Sequence, residues 1–224
     1  MNIALFGGTF DPIHAGHLRA ARAAARQFRL NRILFVPSGH PPHKVGNHLT
    51  PFEHRSNMVA LACAGEVRFV PSLLEAPTPD GRPQYSIATV CRLRRTLGRR
   101  DRLYFLIGVD AFLDLPQWKS YRQLLEMVNF IVVSRPGYAN HEIAKIVPPG
   151  MVSNRKQHSS GQTICLRHTA VHTLRGIDMP MSSSDIRDAV RAGRRVSGLV
   201  PPLVEEYIRK EGLYLPARKA VRAE

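Results

Sequence analysis

The chain has 224 residues and a formal net charge of +15, because 32 Lys and Arg side chains outnumber 17 Asp and Glu side chains. This length is enough for a sizeable core and is most simply one domain. No run of about 18 apolar residues and no secretory signal pattern is present, so we expect a cytoplasmic protein without a membrane span. Three cysteines without a CxxC pair indicate neither a disulfide framework nor a zinc cluster, and no protein-bound metal site is expected.

The excess positive charge suggests polyanion binding as one function. Arg19, Arg22, Arg26 and Arg29 recur every three or four positions, which predicts one basic stripe along a helix. A solvated helix face explains that stripe equally well, and aromatic residues are not interleaved with the arginines as on a base-stacking platform. Nucleic acid is therefore not expected as a partner, and the role of the basic surface stays open.

Apolar runs rich in branched residues alternate with helical patterns over the first 135 residues. Strands are predicted at residues 3–6, 33–37, 67–71, 103–107 and 130–133, and helices at residues 16–28, 52–64, 86–97 and 121–128. This alternation predicts an α/β fold with a doubly wound parallel sheet and helices on both faces. Ligands of such folds bind beyond the carboxyl ends of the strands.

The pattern loosens in the last third of the chain. Residues 138–160 are rich in Pro, Gly and Asn, which predicts a variable loop region or a small excursion from the domain. Weak strands at residues 163–166 and 173–177, then helices at residues 184–192 and 203–211, are predicted to close the domain. Residues 216–224 carry basic side chains and no core pattern, so we expect a mobile tail.

Residues 7–17 read GGTFDPIHAGH and join the first predicted strand to a helix. A strand that leads into a helix N-terminus directs free amide groups and the positive end of the helix dipole at one spot, which attracts phosphate. Gly7 and Gly8 let a ligand come close to the backbone. His14 and His17 are three positions apart, so on a helix they share a face and can reach the same anion.

A second phosphate-binding pattern lies at residues 181–187, MSSSDIR. Ser182, Ser183 and Ser184 supply N-cap oxygens and exposed amides at the start of a helix. Arg187 lies one turn further on, and its forked guanidinium suits bidentate contact with phosphate. A well-capped surface helix would account for the serines alone.

A third pattern follows the fourth predicted strand. Gly108 gives a ligand close access to the backbone, and the carboxylate of Asp110 can accept hydrogen bonds from ribose hydroxyls. Trp118 is the only tryptophan and offers a flat face to a heteroaromatic ring, although it would also fit a core position.

These patterns together resemble a known family. Residues 7–17 match the GGTFDPxHxGH signature of the nucleotidyltransferase superfamily, and residues 181–187 resemble its ISSTxIR motif. The element GxDxxxxLPxW is similar to that of bacterial nicotinate mononucleotide adenylyltransferases, as are residues 41–44 (PPHK), the Arg55 and Met58 pair, Tyr85 with Ser86 and Thr89, and residues 134–137 (SRPG). The resemblance extends over residues 2–214 and implies a single Rossmann-like nucleotidyltransferase domain at residues 1–215.

The resemblance implies transfer of AMP from ATP to nicotinate mononucleotide, which gives deamido-NAD and pyrophosphate, with Mg²⁺ bound mainly through the ATP phosphates. The implied catalytic residues are His14, His17, Lys44 and Arg187. ATP would be held by Gly7, Gly8, Thr9, Phe10, His17, Gly108, Asp110, Ser182, Ser183, Ser184 and Arg187. Nicotinate mononucleotide would be held by Tyr85, Ser86, Thr89, Trp118, Lys119 and Arg135.

Several alternatives stay open at this point. Pantetheine-phosphate adenylyltransferases and cytidylyltransferases share the first two motifs, but the chain is long for the former and the element GxDxxxxLPxW fits neither well. Nicotinamide mononucleotide is an alternative acceptor. A nucleic-acid-binding protein that kept the fold is a further hypothesis, although it would need no converging set of His14, His17, Asp110 and Arg187. The oligomeric state, homo-oligomer included, is left open by the sequence.

Overall fold

Seven strands form one mostly parallel sheet. The computed structural model of the chain describes residues 1–40, 49–134, 140–153, 163–177 and 182–216. The strands are β1 (Asn2–Gly8), β2 (Arg32–Pro37), β3 (Phe69–Pro71), β4 (Arg102–Gly108), β5 (Asn129–Val133), β6 (Thr163–Cys165) and β7 (Ala170–Leu174). Their order in the sheet is β3-β2-β1-β4-β5-β7-β6, with β6 antiparallel to β7 and every other pair parallel. The predicted doubly wound α/β fold is confirmed.

Helices follow most strands. They are α1 (Ala15–Gln27), α2 (Phe52–Cys63), α3 (Ser86–Thr96), α4 (Val109–Leu113), α5 (Tyr121–Met127), α6 (Asn140–Ile146), α7 (Ser183–Arg191) and α8 (Pro202–Lys210). Each predicted helix is confirmed to within one residue at either end. No helix in these ranges is both long and apolar enough to cross a membrane.

Three predictions about local structure were wrong, and one short helix was missed. Helix α6 occupies part of the predicted loop at residues 138–160, because Ile143 and Val147, one turn apart, are buried against the core. The last strand lies three residues earlier than predicted, since Val171 pairs with both Ile164 and Phe130 whereas Gly176 has a positive φ and lies beyond the strand. The third strand is shorter than predicted, and Val67 is 99% exposed. The short helix α4 was not predicted.

The sheet is covered on both faces. Alternate side chains of β1 point in opposite directions, so Ala4 and Phe6 join one apolar cluster and Ile3 and Leu5 join the other. Residues of α1, α2, α7 and α8 pack in the first cluster, and residues of α3, α4, α5 and α6 pack in the second. Arg19, Arg22 and Arg26 of the predicted stripe are exposed on the outer side of α1, whereas Arg29 is exposed but lies beyond the end of the helix, with a left-handed φ of 49°.

The strand order reverses at β1, which lies between β2 and β4. Helices connected to β1 and β4 therefore leave toward opposite faces, and a crevice opens beyond the carboxyl ends of these two strands. Gly8 ends β1 and Gly108 ends β4 at this edge. Both glycines belong to motifs recognised in the sequence.

Candidate active site

The loop after β1 is shaped by the Phe10 side chain. Phe10 has a left-handed φ of 50°, and its ring is 2% exposed in the core, 5.6 Å from the ring of Phe6 and 6.0 Å from that of Phe35. A Cβ at Gly8 would lie 3.0 Å from the Phe10 ring, which explains the glycine. The Phe10 side chain therefore packs beneath the loop, and a ligand would meet the backbone of Phe10 rather than its ring.

His14 and His17 lie together at the start of α1. His14 is the N-cap residue and is 6% exposed, and the two imidazole rings stack with centroids 3.7 Å apart. The His14 amide donates a hydrogen bond of 3.2 Å to Nδ1 of His17. An Nδ1 that accepts carries no proton, so the neutral His17 ring carries its proton on Nε2. The amide of Ala15, expected to be free, instead donates to the Leu199 carbonyl at 2.8 Å.

Buried charged groups hold the same loop from beneath. The Asp11 carboxylate accepts from the Thr50 amide at 3.2 Å and from the Tyr214 hydroxyl at 2.8 Å. Arg55, 2% exposed, donates to the carbonyls of Thr50 and Thr9, both at 2.8 Å. Burial lowers the pKa of Arg55, and the Asp11 carboxylate opposes that shift. The backbone between Thr9 and Pro12 is thus anchored from α2 and from the C-terminal region.

Residues 182–187 of the second motif contact this loop, although they lie near the other end of the chain. Arg187 Nη1 donates to the Asp11 carbonyl at 2.7 Å, and Ser183 Oγ donates to the Pro12 carbonyl at 2.9 Å. The predicted convergence of the two motifs is therefore present in the fold. Ser184 Oγ accepts from Arg187 Nη2 at 3.1 Å. Ser182 caps α7, and its hydroxyl is engaged with Asp185.

A cavity of about 540 Å³ opens beside the loop at the carboxyl ends of β1 and β4. It contains Gly7, Gly8, Thr9 and Gly108 from the predicted ATP-binding set. The predicted acceptor-binding residues Tyr85, Ser86, Trp118 and Lys119 line it as well. Part of each predicted group thus faces one space, whose volume is in the range of pockets that bind small molecules.

The aromatic end of the cavity contains Trp118, Tyr85 and Lys119. Trp118 is half-buried, and its ring meets that of Phe105 edge-on at 5.9 Å. It therefore lines the cavity rather than filling the core. The ammonium of Lys119 lies 4.5 Å from the Tyr85 ring centroid, within the range of a cation–π contact. Lys119 is the single cation among the described cavity residues.

Thr89 was expected to contact nicotinate mononucleotide, but it does not line the cavity. It is completely buried, and its hydroxyl donates to Oε1 of Glu75 at 2.8 Å, so it does not reach the cavity directly. Glu75 lines the cavity instead, and sequence reasoning missed it. The signal available was a single acidic residue in the apolar run of residues 73–76, LLEA. Burial raises the pKa of the Glu75 carboxyl, against the effects of Thr89 and Arg92.

Several predicted residues that the structure describes do not line the cavity: Phe10, His14, His17, Ser182, Ser183, Ser184, Arg187 and Asp110. Asp110 lies in the first turn of α4 on its exposed side, outside the residues that line the cavity. Lys44 and Arg135 lie outside the described residues. Across the described ranges, no group of three or more His, Cys, Asp or Glu side chains is arranged to hold a metal ion.

Comparison with known proteins identifies the family. The cytidylyltransferase-like family model matches residues 5–189. The chain is 41% identical over 214 residues to the probable nicotinate-nucleotide adenylyltransferase of Solibacter usitatus, covering 96% of this chain and 100% of that protein. It is 36% identical to that of Desulfotalea psychrophila, covering 95% of this chain and 99% of the other.

The fold has solved counterparts. The structure of Plasmodium falciparum nicotinic acid mononucleotide adenylyltransferase complexed with NaAD matches with a TM-score of 0.70 at 19% identity, covering 95% of this chain and 97% of that one. The complex of that protein with APC matches with a TM-score of 0.69. At this identity the likeness concerns the fold. From the family match and the full-length relatives, the chain belongs to the cytidylyltransferase-like family and, within it, to the nicotinate-nucleotide adenylyltransferases.

Proposed function

We propose that the protein transfers the AMP moiety of ATP to nicotinate mononucleotide and releases deamido-NAD and pyrophosphate, a step of NAD biosynthesis. The observation that carries this proposal is the 2.7 Å hydrogen bond between Arg187 and the Asp11 carbonyl, beside a cavity lined by Trp118. It joins the two phosphate-binding motifs next to a site for a heteroaromatic ring. Full-length identity of 41% to a relative named for this activity supports the same reaction.

The chemistry is a direct displacement. An oxygen of the mononucleotide phosphate attacks the α-phosphorus of ATP and forms a new O–P bond. The bond from that phosphorus to the bridging oxygen breaks, and pyrophosphate leaves with the electron pair. Such a transfer needs the protein for positioning and for stabilisation of charge on the phosphate oxygens.

We assign the triphosphate to the side of the cavity formed by Gly7, Gly8 and Thr9. His17 would donate from Nε2 to an oxygen near the α-phosphate, and the stacked ring of His14 holds its plane. Arg187 has one guanidinium nitrogen bonded to the loop and would offer its outer edge to the departing pyrophosphate. Ser182, Ser183, Ser184 and Lys44 are assigned to the same phosphates. Phe10 would act through its backbone, and Gly108 with Asp110 would meet the adenosine.

We assign the acceptor to the aromatic end of the cavity. Trp118 would stack on the pyridine ring, and Tyr85 with Ser86 would bound it from the start of α3. Lys119 would favour the carboxylate of nicotinate over the neutral amide of nicotinamide, because it is a cation at a cavity edge. Arg135 keeps its assignment to this substrate from the sequence resemblance.

A divalent cation accompanies ATP in enzymes of this class, and we propose Mg²⁺. Mg²⁺ usually keeps several waters and binds through substrate phosphates with one or two protein oxygens. Mg²⁺ prefers oxygen ligands, so the histidine and arginine side chains at the loop suit phosphate oxygens rather than this cation. The cation would therefore be held mainly by ATP and would offset the charge of its phosphates.

A coupled assay of pyrophosphate release tests the proposal. Purified protein is given ATP and Mg²⁺ with nicotinate mononucleotide, nicotinamide mononucleotide or phosphopantetheine as the acceptor. We expect the highest kcat/KM with nicotinate mononucleotide. Preference for phosphopantetheine would contradict the proposal, as would salt-sensitive binding of DNA or RNA without any turnover.

A further inference from the structure

The acceptor end of the cavity has two walls that come from separate segments. One wall contains Glu75, in the loop after β3, and the other contains Tyr85 and Ser86 at the start of α3. Residues 77–83, which connect the walls, are exposed and form no helix or strand. An exposed connection of this kind does not fix the distance between its ends. The relative position of the walls must therefore be set by contacts across the loop.

The Glu75 carboxyl supplies one such contact. Oε1 of Glu75, on a residue that is 7% exposed, accepts the hydroxyl of the fully buried Thr89 at 2.8 Å. The Thr89 amide donates to the Tyr85 carbonyl at 3.3 Å, so Thr89 lies one helical turn after Tyr85 on the same face. The hydrogen bond from Glu75 thus acts directly beneath the turn of α3 that lines the cavity.

Neighbouring contacts hold Glu75 itself in place. Arg92, one turn after Thr89, donates to the carbonyl of Leu74 at 2.5 Å. From the other side, a Cβ at Gly39 would lie 2.2 Å from the carbonyl oxygen of Glu75, so only glycine allows this approach of the loop to the end of β2. The backbone of Glu75 is therefore enclosed between β2 and α3. Its side chain can act as a fixed reference for the helix.

We infer that Glu75 and Thr89 form a positioning pair that holds the first turn of α3 against the cavity and thereby sets the affinity for the acceptor mononucleotide. This inference rests on the proposed function, because it names which substrate the cavity wall serves. Thr89 acts through Glu75 and Tyr85 and does not touch the substrate. The ATP side of the cavity, formed by the β1 loop, has no contact with this pair in the described hydrogen bonds.

The substitution Thr89→Val tests the pair, because valine keeps the shape of threonine and removes the donor. We expect KM for nicotinate mononucleotide to rise about tenfold while KM for ATP changes less than about twofold, as for the loss of one positioning hydrogen bond. Thr89→Ser keeps a hydroxyl and should restore most of the affinity. Glu75→Gln keeps an acceptor and should also stay near wild type.

Thr169→Val is the matched control. The Thr169 hydroxyl is likewise buried and donates to the carbonyl of Leu125, away from the cavity residues. Thr169→Val should lose about as much thermal stability as Thr89→Val does. The ratio of KM for nicotinate mononucleotide to KM for ATP should stay unchanged. If Thr89→Val does not fold, Glu75→Leu, which removes the acceptor, should show the same selective rise in the acceptor KM.

Two results would overturn the inference: equal changes in both KM values, or a folded Thr89→Val with unchanged acceptor affinity. Acceptor binding has a second readout in the fluorescence of Trp118, the only tryptophan, which lines the cavity. Titration of Thr89→Val with nicotinate mononucleotide should show the same tenfold loss of affinity relative to the wild-type protein. Failure of the proposed function looks different, since wild-type protein would then show neither turnover nor a fluorescence change with this acceptor, and both proposals would fall.

Discussion

At the scale of single residues, the tautomer of His17 determines what its ring can do. Nδ1 is occupied by the His14 amide, so Nε2 is the nitrogen that carries the proton. The ring is held by stacking on His14 and by an edge contact with the Phe10 ring at 5.1 Å. A donor held in this way needs no reorganisation when charge develops on a phosphate oxygen.

We therefore expect His17→Ala to lower kcat by about a hundredfold or more, which corresponds to about 3 kcal/mol of transition-state stabilisation. The fold should persist, because His17 is only half-buried. Steady-state pyrophosphate release and a thermal melt measure the two effects. His54→Ala is the control: His54 bonds the Tyr207 hydroxyl at 2.9 Å outside the cavity and should leave turnover unchanged. Full activity in a folded His17→Ala protein would remove His17 from the mechanism.

Substitution of Lys119 tests whether its charge makes the enzyme prefer nicotinate mononucleotide over nicotinamide mononucleotide. It is exposed, so solvent screens its charge and the expected effect is small. Lys119→Gln should lower the ratio of kcat/KM for nicotinate mononucleotide over nicotinamide mononucleotide by about fivefold at low salt. Lys119→Arg should preserve the ratio. A ratio that stays constant in Lys119→Gln would show that Lys119 lies over Tyr85 only as a surface contact.

At the scale of elements, a buried carboxyl joins the loop after β3 to α3. Because burial raises the pKa of Glu75, the folded protein holds this proton more tightly than the unfolded chain does. The associated stability is fully present below the ordinary carboxyl pKa of about 4.5. It is lost as the pH rises through the higher pKa of the folded state.

Glu75→Gln removes this titration and keeps the acceptor for Thr89. We expect the variant to match wild type near pH 5 and to gain in relative thermal stability as the pH is raised toward 8. Comparing melting temperatures of the two proteins across this range isolates Glu75, because all other titrating groups are shared. A difference in melting temperature that does not change with pH, or that changes in the opposite direction, would contradict the burial of an ionisable carboxyl at this position.

Helix ends were predicted well because their signals are local. Ser182 forms a capping box with Asp185 within four residues, and the start of α7 was predicted to within one residue. The bounds of β7 were predicted less well because no local signal fixes them. The register of β7 depends on its pairing with β5 and β6. Helix α6 was missed for a related reason, because its residue Ile143 and the adjacent Val147 are buried only by packing against distant parts of the chain.

At the scale of the whole molecule, the C-terminal region holds the active-site loop through hydrogen bonds. The Tyr214 hydroxyl donates to the Asp11 carboxylate across 203 positions of sequence, and the Leu199 carbonyl accepts from Ala15. Burial, with Asp11 as a neighbour, raises the pKa of Tyr214, so its hydroxyl keeps the proton that it donates at all ordinary pH values. The loop that holds ATP in our proposal is thus tied to the end of the fold.

We expect Tyr214→Phe to lower the free energy of unfolding by about 1.5 kcal/mol, because a buried carboxylate oxygen loses a donor. Displacement of the loop should also lower kcat/KM by about tenfold. Denaturant titration and the pyrophosphate assay measure these changes. Tyr207→Phe removes a hydroxyl that bonds His54 and Asn57 on α2, and it should leave kcat/KM unchanged. Equal kinetics in the two variants would mean that Tyr214 does not hold the loop.

The sequence by itself determined the doubly wound sheet, the motifs, the family and the order of all strands and helices except α4 and α6. These follow from hydrophobic period, glycine positions and helix caps, each of which is expressed within a few neighbouring residues. The carboxyl ends of parallel strands share one edge, so the motifs after β1 and β4 could be expected to meet there.

Only the tertiary structure decided which side chains face the cavity. Phe10 is in the core, Thr89 lies beneath Glu75, and Asp110 lies on the exposed side of α4. The hydrogen bond from Tyr214 to Asp11 could not be predicted from the sequence either. Burial and hydrogen bonding of this kind depend on packing between residues far apart in the chain, and a sequence pattern gives the type of a residue without giving its distant neighbours.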